Sequence, residues 1–171
     1  MSPTGRRLVG LALPPALLNL CDNAATLAGQ SKAYWAGDFS RVNEASPTFH
    51  HLLTIHPAAF IVGGLGLALL VAGLVMLLPD TLALTVSIAV TVGHTVGVAT
   101  WLAWRFEFDY QIVNGLILLT AALLAVCIRY GWRAAPADPH PLGRWPAPAR
   151  YLAAAGLFAV GVYLFLWPRS A

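Results

Sequence analysis

The stretch Ala58–Leu78, AAFIVGGLGLALLVAGLVMLL, followed after Pro79-Asp80 by Thr81–Trp104, TLALTVSIAVTVGHTVGVATWLAW, decides the fold. Neither run contains a Lys, Arg, Asp or Glu. A bilayer core about 30 Å thick is crossed by about 20 apolar residues in an α-helix. Each run therefore reads as one membrane crossing, and Pro79-Asp80 as the tight turn between them. The apolar positions are continuous rather than alternating, which excludes the strands of a membrane barrel.

The same criterion, applied outward, finds Arg7–Gly29, where Pro14-Pro15 predicts a kink, then Tyr110–Arg129 and the shorter Tyr151–Trp167. The fold class is thus all-α: a polytopic transmembrane helical bundle of about five spans, forming a single membrane domain over residues 1–171. Composition agrees, since 58% of residues are hydrophobic and 10% are charged, against about 25% charged in water-soluble domains. Arg6-Arg7 before Leu8–Leu20 resembles the basic and apolar regions of a signal peptide, with small residues at Ala24–Gly29. We read the segment as a retained first span. The net charge of +3 comes from Lys and Arg at the ends of apolar runs, with no basic stripe for nucleic acid. Cys21 and Cys127 lie inside apolar runs and read as packing residues rather than a disulfide or a lipid anchor.

Two segments are polar. Residues 30–57 form a long first loop, and residues 133–149 a connector with Pro136, Pro139, Pro141, Pro146 and Pro148. Ser46-Pro47 is a helix start, so a short interfacial helix is expected from Pro47 to about Ile55. His56-Pro57 then leads into the second span. With the N-terminus in the cytoplasm, Arg6, Arg7, Arg129, Arg133, Arg144 and Arg150 lie inside, and Lys32, Arg41, Arg105 and Arg169 outside. That bias favours a cytoplasmic N-terminus, an extracytoplasmic first loop, a cytoplasmic connector and an extracytoplasmic C-terminus, as in a bacterial inner membrane protein.

Ionisable residues inside a span are costly and point to function or to a structural partner. Asp22, beside Asn23 and Thr26, lies in the first span, His94 in the third, and Asn114 in the fourth. The first and third spans run in the same direction, which places Asp22 and His94 at similar depth in the outer half. Pairing across the two helices is the simplest way to accommodate both. Asp22, Glu44, His50, His51, His56 and His94 are candidate ligands for a metal ion, although the spacings among the loop histidines do not suit one helix face. Gly93-His94-Thr95-Val96-Gly97 sets a His between small residues, as in axial ligation of a haem or another tetrapyrrole, with His56 as a second ligand. The same Gly93–Gly97 spacing suits plain helix packing, as do Gly63, Gly64, Gly66, Gly73, Gly156 and Gly161.

No nucleophile motif, zinc-protease motif or Cys-x-x-Cys is present, so no catalytic residue is assigned. Asp22 together with Asn43-Glu44-Ala45-Ser46-Pro47 resembles small bacterial membrane proteins with an acid in the first span and a short Asn/Glu/Pro motif before the second. That resemblance covers a minor part of the chain and implies no activity. The leading expectation is a non-enzymatic accessory or scaffold subunit, contacting lipid and other membrane subunits or further copies of itself. A metal-dependent enzyme or carrier, and a haem or pigment protein, are the alternatives.

Overall fold

The computed structural model describes residues 3–132 and 146–166. Helix α1 runs over Thr4–Ala28. Two short helices follow in the first loop, α2 over Lys32–Trp35 and α3 over Pro47–Ile55, and then α4 over Pro57–Leu77. Helix α5 spans Asp80–Arg105. Helix α6 covers Tyr110–Trp132 and α7 covers Ala147–Leu166. No strand occurs among the described residues. Among the described residues, four helices are long and apolar enough to cross a membrane: α1, α4, α5 and the Tyr110–Arg129 part of α6. The chain is an all-α helical bundle of the kind a multi-pass membrane protein forms.

Several sequence-based boundaries shift. The expected kink at Pro14-Pro15 is absorbed differently, because the turn before it, Leu8–Ala12, widens to a π-helix in which Leu13 N–H donates to the carbonyl of Leu8. Pro14 and Pro15 offer no N–H to the carbonyls four residues back, and their rings crowd those carbonyls. A wider turn relieves both problems while α1 stays continuous. The fifth helix begins at Ala147, inside the segment read as connector, with Pro148 in its first turn. A proline there is tolerated because that N–H has no intrahelical partner. The rest of the connector, 133–145, and the expected end of the fifth span at Trp167 lie outside the described residues.

The first loop is a folded cap rather than an open connection. Ser31 accepts from Tyr34 N–H at 3.1 Å and so starts α2, a helix of four residues too short to leave a period in the sequence. Tyr34, Leu53 and Phe60 are buried together, with Leu27, Phe39, Val42, Phe49 and Leu52 packed around them. Tyr34 hydroxyl donates to Leu53 carbonyl at 3.1 Å, which satisfies the one polar atom this cluster buries on Tyr34. Ser46 takes the cap position of α3, but its side chain makes no capping bond; its N–H instead donates to Glu44 Oε1 at 2.7 Å. His56 is extended, as a residue before proline should be, and its Nδ1 accepts from Ala58 N–H at 3.1 Å. His56 is thus the cap of α4.

At the opposite end, Leu11 and Ala12 of α1, Val71 and Val75 of α4, and Ala83 of α5 form a second apolar cluster. Arg7 closes it. Its Nε donates to Val75 carbonyl at 2.9 Å, and its terminal nitrogens reach Leu78 carbonyl and the Asp80 carboxylate. Carbonyls in the last turn of a helix have no intrahelical donor and carry the negative end of its dipole. One buried guanidinium, 8% exposed, therefore caps α4, pins the turn and pairs with Asp80.

Candidate functional site in the loop half of the bundle

Helices α1 and α5 run parallel and in register. Arg7 meets Asp80 across 73 residues, Asp22 meets His94 across 72, Asn19 meets His94 across 75, and Arg105 meets Gly29 carbonyl across 76. A near-constant offset over the full length means that residues at one depth on α1 face residues at the same depth on α5. The facing stripe of α1 is polar. It holds Asn19, Asp22, Asn23 and Thr26, spaced i, i+3, i+4 and i+7, which is one helix face. Elsewhere on α5, Ser87, Thr91 and Thr95 are buried polar residues. Thr91 and Thr95 hydroxyls donate to the carbonyls four residues back, both at 2.7 Å, so they need no partner on α1.

His94 joins the helices. Its Nδ1 lies 2.9 Å from Asp22 Oδ2 and its Nε2 lies 3.2 Å from Asn19 Nδ2. Asn19 Oδ1 accepts from Asn23 Nδ2 at 3.1 Å, which turns the Asn19 amide nitrogen toward the ring. An amide nitrogen only donates, so Nε2 accepts and Nδ1 carries the proton given to Asp22. A directed chain results: Asn23 to Asn19 to His94 to Asp22. Glycines make room for it. A Cβ on Gly97 would sit 2.5 Å from Asp22 Oδ1, and one on Gly64 would collide with the Asn23 amide. Small residues in α4 and α5 thus seat polar side chains of α1.

A cavity of about 770 Å³ opens beside this chain. Asp22, Asn23, Thr26 and His94 line one side of it, Glu44 with its loop neighbours another, and Phe49, Phe60, Trp101 and Trp104 supply aromatic walls. Leu67 and Val90 line it furthest from the loop. From Val90 to Trp104 along α5 is about 20 Å at 1.5 Å per residue. Arg105 stands at the mouth, held by its Nε donating to Gly29 carbonyl at 2.9 Å. Glu44 is positioned by Gln30, which bridges α1 to the loop. Gln30 Nε2 donates to the carbonyls of Thr26 and Asn43, both at 2.9 Å, and its Oε1 accepts from Asn43 N–H at 2.8 Å. Burial of the carboxyl pushes the Glu44 pKa up, against the bond from Ser46 N–H, and the nearby negative charge of Asp22 adds to the rise.

The six residues expected as metal ligands divide. Asp22 and His94 meet, and Glu44 shares their cavity. His50 instead places Nδ1 3.1 Å from Glu44 carbonyl, His51 is exposed, and His56 caps α4 with its ring edge-on to Phe39. Among the described residues no three His, Cys, Asp or Glu side chains gather closely enough to hold a metal ion. For tetrapyrrole ligation by His94 the obstacle is occupancy: both ring nitrogens have partners, and Gly97 faces Asp22 rather than a flat macrocycle. Asn114 is half-buried on α6 and does not line the cavity. Asn19, Gln30 and Arg105 were not singled out from the sequence. The heptad-like spacing of Asn19 with Asp22, Asn23 and Thr26 was the available signal for the first. No protein-family model, curated protein or solved structure matches the chain.

Proposed function

We propose that the chain is a non-catalytic accessory subunit of a membrane assembly, crossing the bilayer with its N-terminus in the cytoplasm and its first loop outside. The observation that carries this reading is a division among the helical glycines. Gly63, Gly64, Gly73 and Gly97 each meet a side chain where a Cβ would be, and so serve the fold of this chain. Gly66, Gly115 and Gly156 meet nothing within 4 Å; Gly93 does likewise, but it lines the cavity. Glycine in a helix interior costs about 0.5–1 kcal/mol relative to alanine. Where it serves no internal contact, it suits the close approach of a neighbouring helix. Helix α6 supports the same reading: only 11% of its apolar window is buried, and Leu118, Leu119 and Val126 are exposed.

The polar chain supports the non-catalytic half of the proposal. A general base needs a free ring nitrogen aimed at a substrate. His94 has Asp22 on one nitrogen and Asn19 on the other.

Native mass spectrometry of the chain released from membranes in mild detergent tests the proposal. We expect a defined assembly, and we expect Gly66→Leu or Gly115→Leu to dissociate it without lowering the melting temperature of the isolated chain. A partnerless monomer, or an assembly indifferent to both substitutions, contradicts it.

A further inference from the structure

We infer that the cavity between α1, α4, α5 and the loop binds a phospholipid with a primary-amine headgroup, of the phosphatidylethanolamine type, entering from the leaflet on the loop side. This does not depend on the subunit reading.

The shape is amphiphilic along the bundle axis. Leu67 and Val90 line the deep part, carboxylates and amides line the upper part, and Trp101 and Trp104 stand at the mouth with Arg105. Tryptophan and arginine are the side chains expected at headgroup level. A lipid in its ordinary orientation therefore matches the cavity depth by depth, chain below and headgroup above. The volume of about 770 Å³ falls in the range of small-molecule sites, roughly 300–1,000 Å³.

Charge selects the headgroup. Two carboxylates, Asp22 and Glu44, share the cavity with one guanidinium, Arg105. With His94 neutral, an empty site carries one net negative charge. An anionic headgroup suits Arg105 but meets two carboxylates. A headgroup bearing an ammonium and a phosphate meets both signs on the loop side of the cavity, the ammonium at Glu44 and the phosphate at Arg105. A primary ammonium donates up to three hydrogen bonds, to the Glu44 carboxylate among other acceptors, whereas a quaternary choline head donates none. Glu44 also gains directly: an ammonium returns the stabilisation of the charged carboxyl that burial and Asp22 remove.

The test uses the full chain, delipidated in detergent, with native mass spectrometry after add-back of phosphatidylethanolamine, phosphatidylcholine or phosphatidylglycerol of the same acyl chains. We expect the ethanolamine lipid to be retained about tenfold better than either other, the equivalent of losing one charge-assisted bond. Glu44→Gln and Arg105→Gln should each reduce that preference, with helicity and melting temperature measured alongside. Equal retention of the three lipids by the wild-type chain overturns the inference, and this arm requires no variant to fold. Preference for the glycerol lipid overturns it too, by showing that Arg105 alone sets the selection. Unchanged preference in both folded variants would place the lipid elsewhere and is equally fatal.

Discussion

The two ends of the α1–α5 pair hold charged side chains inside a helical bundle in opposite ways. At the turn end, Arg7 is 8% exposed and every direction around it is filled: carbonyls of Val75 and Leu78, the Asp80 carboxylate, and an apolar cluster above. At the loop end, Asp22 is 21% exposed and His94 13%, and their hydrogen-bond chain borders a cavity with a second acid across it. The register is the same at both ends. The first end closes the bundle, while the second leaves polar groups facing open volume, which is where binding chemistry belongs.

Arg7→Ala should break this contrast most severely. It removes the guanidinium donor from the Val75 carbonyl in the last turn of α4 and from a half-exposed Asp80. We expect a loss of roughly 2 kcal/mol, with partial recovery in Arg7→Lys, read as melting temperature in detergent. An unchanged melting temperature would mean that the clasp does not hold the turn end.

Next in size is a pair of alanine substitutions on α4. Gly64→Ala forces a Cβ into the Asn23 amide and should cost about 1–2 kcal/mol. Gly66→Ala, two residues away, meets open space and should be neutral or stabilising in the monomer. Equal responses would show that the loop-end network does not rest on glycine seats.

The smallest effect is the pH response of Glu44. Its folded pKa lies above the unfolded value of about 4.3. Such a group contributes stability that is complete below the unfolded pKa and is lost as pH rises through the folded pKa. On acidification from neutral pH, the wild-type chain should therefore gain stability relative to Glu44→Gln, by a shift on the order of 1 °C. A difference independent of pH would place Glu44 in an ordinary aqueous setting.

Much of the fold is legible in the sequence because lipid demands long charge-free runs, and α4 and α5 announce themselves that way. The parallel course of α1 and α5 follows from alternation of direction. It places Asp22 and His94 at one depth without any knowledge of contacts. What cannot be read is lateral geometry. Helix α2 has too few residues for a period, and the π-turn before Pro14 is a local accommodation with no distinctive residue type. Gln30 reads as a loop residue because its bonds to Thr26 and Asn43 depend on a chain reversal 13 residues long. The histidines of the loop illustrate the converse. Three of them close in sequence suggest a metal site, yet helix capping, a backbone carbonyl and solvent take them in separate directions.

Nitrogen-15 NMR of the imidazole in membranes reports directly on the hydrogen-bond chain through His94. We expect a ring protonated at Nδ1, with both nitrogen resonances shifted by Asp22→Asn and the Nε2 resonance shifted by Asn19→Ala. A ring protonated at Nε2 alone, or resonances indifferent to both substitutions, would contradict it.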